Sequence, residues 1–249
     1  MSAGKTRPPR DISGLRKAVG RVSLPGGQGG AMARARKMLD LYLETAEAHG
    51  QSFEATAKAL RAGHAALRIG GAELEAQATR PGGPAARAAC SAGCAWCCVL
   101  SGPDGGVILE AEARRVHAAL APLAGQPDGR DWMPKACPAL DPETRMCRIY
   151  EARPMICRSY LSEDAEACRE IAHGTPAPGP GVLGAQGLYL AVQALARAAL
   201  RGLTQVPTYG LARVAEGALG GESEAEALAA ARHAAPVLNE ERARLGGGL

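Results

Sequence analysis

Residues 90–98 read CSAGCAWCC, which places four thiols within nine residues. The chain has eight cysteines in 249 residues, and the other four are Cys137, Cys147, Cys157 and Cys168. Reduced thiols so close together repel one another as thiolates, and burial makes ionisation harder. A bound cation removes both penalties by deprotonating the thiols and holding them together. The cysteine pattern therefore predicts a metal site that organises the middle of the chain.

The rest of the sequence indicates a reducing compartment. The basic N-terminal stretch has no apolar signal region or small-residue cleavage site, and no 18-residue apolar run occurs in the chain. We therefore expect a cytoplasmic protein without membrane contact, in which metal ligation is favoured over disulfides and redox dithiols. Buried free cysteine is the other alternative, although the flanking helical patterns contain none. The net charge of +4 is too small to support nucleic-acid binding.

The spacing of the first cluster fits one side of a helical turn. On an α-helix, Cys90, Cys94, Cys97 and Cys98 would lie on a stripe about 100° wide, although Gly93 is also compatible with a tight loop. The side chains of adjacent Cys97 and Cys98 diverge. They suit two neighbouring metals, a bridging thiolate, or one metal beside a free thiol. The second group of cysteines must supply the remaining ligands.

Five arginines lie among the later cysteines, and their positive charge would offset that of the thiolates. They are Arg145, Arg148, Arg153, Arg158 and Arg169. We expect Arg148, Arg153 and Arg158 in particular to support the ligand loops around the bound group. The alternative is that they are ordinary surface arginines. The five histidines are scattered; His117 and His173 could replace a cysteine ligand, but solvated histidine is the simpler interpretation.

Known cysteine patterns match only in part. The spacing C-x3-C-x-W-C resembles the [4Fe–4S] motif of radical S-adenosylmethionine enzymes, but no strand–helix alternation follows it. The ferredoxin spacing is absent, and only one C-x2-C pair of the zinc-ribbon type is present. No phosphate-binding loop, GxSxG or HExxH motif occurs.

Apolar periodicity predicts a mainly α fold without confident strands. A helix over 31–49 and another over 51–69, with Ser52 as N-cap and Gly70-Gly71 as a stop or kink, form the predicted hairpin. A helix should also begin near Leu109 and end near Pro122. The predicted regions are a flexible lead (1–30), a helical hairpin (31–86), a cysteine-cluster metal-binding module (87–173) and a C-terminal helical region (182–249).

The residues CSAGCAWCC, ACP (136–138) and CRIYEARPMICRSY (147–160) resemble the YkgJ-like cysteine-cluster family of zinc- or iron-chelating domains. The resemblance covers roughly residues 87–170, and VILEAEARRV resembles the helix that follows the first cluster in that family. It implies a bound zinc or iron, with an iron–sulfur cluster as one form. The implied ligands are Cys90, Cys94, Cys97, Cys98, Cys137, Cys147, Cys157 and Cys168.

The resemblance does not assign a reaction. The first hypothesis is a metal-binding protein for structure, chelation or trafficking. A related cysteine cluster occurs in flagellin lysine N-methylases, so an iron–sulfur-dependent enzyme that transfers methyl groups is an alternative. A helical adaptor with a purely structural metal, which would bind a protein partner, is the third.

Overall fold

Helices dominate the computed structural model, which describes residues 8–24, 30–100, 104–178 and 181–246. The predicted mainly α fold is confirmed. The α-helices of the described residues are α1 (Ile12–Arg21), α2 (Gly30–Ala48), α3 (Phe53–Ala62), α4 (His64–Ala78), α5 (Cys97–Leu100), α6 (Glu110–Leu120), α7 (Gly129–Trp132), α8 (Met155–Ser159), α9 (Ala165–Ala172), α10 (Gly184–Ala199), α11 (Leu211–Leu219), α12 (Glu224–Ala231) and α13 (Val237–Gly246). No helix within the described ranges is both long and apolar enough to cross a bilayer.

In the part of the chain that the structure describes, four short strands accompany the helices, where the sequence predicts none with confidence. They are β1 (Val107–Leu109), β2 (Tyr160–Leu161), β3 (Gly181–Val182) and β4 (Thr208–Gly210). Strand β1 pairs antiparallel with β4, and β2 pairs antiparallel with β3. Segments of two or three residues are too short to show the apolar alternation that identifies a strand.

The chain divides into two compact units, each assembled from separate segments. The first contains the described residues of Met1–Gly70, Gly187–Pro207 and Leu238–Leu249. The second contains those of Gly71–Gln186 and Thr208–Val237, and all eight cysteines belong to it. Residues 208–237, which the sequence places in a C-terminal region, thus share a unit with the cysteines.

In the first unit, α1 packs against α2 through apolar and charged contacts. Leu15 and Val19 of α1 are fully buried, and the Arg16 guanidinium pairs with Asp40 at 2.9 Å (Nε to Oδ1). The Asp11 carboxylate caps α1 by accepting from the Gly14 N–H. Residues 12–21 therefore form a helix inside the segment predicted as a flexible lead; residues 1–7 and 25–29 of that segment lie outside the described residues.

The predicted second helix is broken at a different glycine. Ser52 is its N-cap, as expected, and its side chain accepts from the Ala55 N–H at 3.1 Å. Gly63, with φ of 92°, ends α3 in the left-handed conformation. Helix α4 then continues through Gly70 and Gly71, so of the predicted stop or kink there the stop is wrong and the kink stays a prediction. A glycine pair inside a helix lowers its stability without ending it when tertiary packing compensates.

The second unit has an apolar core that reaches into the cysteine segment. Helix α6 packs against α11 and α12, and Val116 and Val214 are fully buried. The same core includes Ile149 and Ile156, and Cys137, Cys147 and Cys157 pack against it. The Pro- and Gly-rich stretch 125–170 thus obtains order from apolar burial as well as from any metal.

Candidate metal centre

A single cavity of about 380 Å³ collects the cysteines of the chain. All eight line it: Cys90, Cys94, Cys97, Cys98, Cys137, Cys147, Cys157 and Cys168. None of them forms a disulfide; Cys90 is exposed, Cys168 is buried, and the others are half-buried. The structure therefore brings together the two halves of the predicted ligand set.

The first half of the first cluster is a loop, so of the two predicted alternatives the tight loop at Gly93 is found there and the helical stripe is not. Only Cys97 and Cys98 lie on a helix, the short α5. The chain reverses before it through Gly93 (φ 74°) and Ala95 (φ 53°). A side chain at position 93 would lie 3.2 Å from the Thr144 carbonyl oxygen, so glycine allows the loop to approach the next cysteine segment.

The segment between Cys137 and Cys147 is a tight turn. The Asp141 carboxylate accepts from the Thr144 N–H at 2.7 Å, and the Asp141 N–H donates to the Met146 carbonyl at 2.9 Å. The Cys137 N–H donates to the Cys98 carbonyl at 3.0 Å. Main-chain hydrogen bonds thus close this turn and join it to the first cluster.

A buried carboxylate positions Cys157. Glu112 of α6 is fully buried, and its Oε2 accepts from the Leu109 N–H at 3.0 Å. Its Oε1 accepts from the Met155 N–H at 2.6 Å. Glu112 thereby caps α6 and holds the first residue of α8, two positions before Cys157.

The cysteines separate into two groups by their electrostatic neighbours. In the inner group, Cys98 and Cys157 each interact with Cys97 and Cys137, and Cys147 interacts with Cys97. In the outer group, Cys168 interacts with Cys94 and Cys90, and more weakly with Cys97. We define the inner group as Cys97, Cys98, Cys137, Cys147 and Cys157, and the outer group as Cys90, Cys94 and Cys168.

The inner thiols differ in acidity. The side chains of Cys97 and Cys98 do not diverge as expected but share a hydrogen bond. This bond lowers the pKa of Cys97 to about 7 and, with burial, raises the pKa of Cys98. Burial raises the pKa of Cys137 to about 12 and also raises the pKa values of Cys147 and Cys157. Cys97 is therefore the inner thiol that ionises most readily near neutral pH.

The three predicted arginines occupy different positions. Arg153 lines the cavity, and its positive charge favours the thiolates of Cys97 and Cys147. Arg148 donates to the Pro127 and Pro138 carbonyls, at 3.0 and 3.1 Å, and so ties together two loops beside Cys137. Arg158 is exposed on α8, and its supporting role stays a prediction.

Both tryptophans of the chain take part in a row of ring contacts that includes Trp96 of the cavity lining. The Trp96 ring centroid is 5.4 Å from that of Trp132 and 5.6 Å from that of His173. The Arg145 guanidinium lies over Trp132 at 5.8 Å. Trp96 and Arg145 line the cavity, and Trp132 contacts both of them from outside its lining.

Within the described residues, no three His, Cys, Asp or Glu side chains have the spacing of a formed metal site. Ligation would therefore require thiol side chains to rotate toward a common point. The donor set fits such a role, since eight cysteine sulfurs in one lining suit zinc, iron and iron–sulfur groups. His117 is buried, with Nε2 2.9 Å from the Glu222 carbonyl oxygen, so the expectation that it is solvated is wrong.

Residues 89–173 match the family model CxxCxxCC, described as "Putative zinc- or iron-chelating domain". We refer to residues 89–173 as the CxxCxxCC domain, after the family model that they match. The resemblance predicted from the cysteine spacing is confirmed over these residues. No curated protein and no solved structure shows significant similarity to the chain. The CxxCxxCC domain includes every cysteine, whereas α11 and α12, which pack against its α6, lie beyond the matched residues.

Sequence reasoning missed two contributors to the CxxCxxCC domain. Glu112 follows Leu109 by three residues, the position at which an acid caps a helix, and this signal indicates only its local bond. Its second bond, to Met155, depends on tertiary structure. Trp132 lies in a loop-like, Pro-rich stretch, and its contact with Trp96 has no signature in the sequence.

The position of Trp96 predicts an optical response to metal. Trp96 precedes Cys97 directly, so Co²⁺ bound by the inner group would accept excitation energy from it at short range. We expect Co²⁺ added to metal-free protein to quench tryptophan emission, with Trp96→Phe losing more of this quenching than the matched variant Trp132→Phe. Equal quenching in Trp96→Phe and the wild-type protein would contradict binding beside Trp96.

Proposed function

We propose that the CxxCxxCC domain binds zinc or iron in the cytoplasm through thiolates of the inner group, with the outer group as a second ligand set beside it. The observation that carries this proposal is the convergence of eight cysteines, from separate segments of the chain, on one cavity. Arg153 at the cavity and Arg148 on the adjoining loops would offset the negative charge of the thiolates.

The grouping of the thiols supports two neighbouring sites or one polynuclear group over a single mononuclear ion. A tetrahedral ion takes four sulfur ligands, and the inner group alone has five thiols. Cys97 interacts with members of both groups, so it is the best candidate for a ligand shared between two metals.

Elemental analysis and a visible spectrum of anaerobically purified protein test the proposal. A colourless protein with stoichiometric zinc would support chelation or a structural role. A brown, oxygen-sensitive protein with iron and acid-labile sulfide would favour the iron–sulfur alternative, including the methyl-transferring enzyme. Protein without either metal, even after anaerobic incubation with each ion, would contradict metal binding.

Metal binding should release protons. At pH 7 the raised pKa values of Cys98, Cys137, Cys147 and Cys157 keep these thiols protonated, whereas Cys97, with a pKa of about 7, is close to half ionised. A divalent ion held by four inner thiolates should therefore displace about three to four protons. Affinity should weaken as the pH falls, because protons then compete better for the sulfurs.

Calorimetric Zn²⁺ titrations in buffers of different ionisation enthalpy measure this number. The Cys168→Ser variant, which changes only the outer group, serves as the control and should release the same number of protons at the inner group. Release of roughly one proton or fewer would contradict a thiolate-rich inner site.

A further inference from the structure

A second cavity, of about 560 Å³, adjoins the same thiols. Cys97, Cys98, Cys137 and Cys157 line both this cavity and the first. Its volume is within the range of pockets that hold small organic ligands, and it is larger than a metal ion needs. An occupant would therefore lie against the inner group without displacing the outer cysteines.

The rest of its wall is largely apolar. Val99, Ile156, Ile171 and Leu211 contribute aliphatic side chains, and Ile156 and Leu211 are buried. A ligand with a hydrocarbon body would bury apolar surface against these side chains, and this burial would contribute favourable free energy of binding.

Two basic side chains line the cavity, and they differ in their ion-pair partners. Arg130 is already paired with Asp128 at 2.7 Å and with Glu216 at 3.4 Å. Lys135 also lines the cavity and is exposed, and it has no ion-pair partner among the residues that the structure describes. Its ammonium group can therefore bind an anion, whereas Arg130 and Glu216, which line the same cavity, already pair with each other.

We propose that this second cavity binds a small monoanionic amphipath, a carboxylate with an aliphatic or aromatic body, whose charge pairs with Lys135 and whose body contacts the inner thiols. This inference goes beyond metal binding, because it rests on the cavity wall alone. It assigns the CxxCxxCC domain an organic ligand next to the sulfur atoms.

Isothermal titration with sodium octanoate tests the proposal, with octanol and octylammonium as uncharged and oppositely charged probes of equal length. Octanoate should bind at one saturable site, octanol more weakly, and octylammonium weakest. Lys135→Met should weaken octanoate roughly fivefold and leave octanol unchanged, since an exposed ion pair contributes modestly. Lys58→Met, at an exposed lysine of α3, is the matched control and should change neither affinity.

A cavity-filling variant locates the site. Ala172 lines the cavity at the end of α9, so Ala172→Phe should remove saturable binding of both octanoate and octanol. Ala212→Phe, on α11, repeats this test from another element, with circular dichroism to check folding. Octanoate binding that survives both variants, octylammonium binding as strong as that of octanoate, or no saturable octanoate binding would overturn the proposal.

The titrations are made on protein with its metal and on protein stripped with a chelator. Binding of octanoate to stripped protein supports the cavity even if the metal proposal fails. Metal-loaded protein without octanoate binding contradicts only the cavity.

Discussion

Replacing Cys97 or Cys147 by serine should remove the metal of the inner group. The two residues come from opposite halves of the cysteine pattern, and the neutral hydroxyl is a poor ligand for zinc or iron at neutral pH. Changes outside the first coordination shell already weaken metal affinity by 10–100-fold, so each ligand loss should weaken it by roughly 100-fold or more. The metal-to-protein ratio after desalting, measured by mass spectrometry, checks this result.

Cys90→Ser provides the matched control for those variants. Cys90 is exposed and belongs to the outer group, where its sulfur accepts from the Ser162 N–H at 3.5 Å. This variant should keep the inner metal and lose at most the outer one. Wild-type metal content in both Cys97→Ser and Cys147→Ser would contradict the shared site. Far-ultraviolet circular dichroism should remain unchanged in all three, because the apolar core is retained.

Glu112→Ala should strongly destabilise the second unit. The change leaves the buried Leu109 and Met155 N–H groups without their charged acceptor. Each such loss costs about 1.5–3 kcal/mol, so the free energy of unfolding of the second unit should fall by roughly 3–6 kcal/mol. Urea unfolding, together with amide exchange at Met155, measures the effect.

Glu112→Gln removes the negative charge but keeps one hydrogen-bond acceptor. Its amide oxygen can still accept from one of the two N–H groups. This variant should lose about half as much stability as Glu112→Ala. Glu143→Ala, at an exposed position of the 137–147 turn, should change little. Unaltered exchange at the Met155 amide in Glu112→Ala would show that the carboxylate does not hold α8. Because α8 carries Cys157, weaker metal retention should accompany the loss.

The sequence predicts what depends on local chemistry. The helical class, the Ser52 cap and the convergence of cysteines on a family-like domain follow from periodicity, capping rules and spacing. The break at Gly63 instead of Gly70-Gly71 does not, because a glycine pair stays helical when its neighbours pack well, whereas Gly63 adopts φ of 92°. The pairing of Val107 with Gly210 joins segments far apart in the chain, and strands so short carry no pattern.

The candidate site divides in the same way. The spacing of the cysteines predicts that they form one site. Their separation into the inner and outer groups depends on which loops face one another in the folded protein, and the sequence does not show this. The low pKa of Cys97 arises from its contact with Cys98 inside a partly buried pocket. The second cavity depends on Lys135 and Ile171, which no motif connects.

The hydrogen bond between the Cys137 N–H and the Cys98 carbonyl has a consequence for the lifetime of a bound ion. Main-chain bonds and a shared core join the donor segments through contacts that do not involve their sulfurs. The metal ion can then bind and dissociate without global unfolding of the protein. Small zinc modules, in contrast, unfold when the metal is removed. Exchange with a competing chelator should accordingly run faster than denaturation, which is the behaviour required of a carrier that hands its cargo onward.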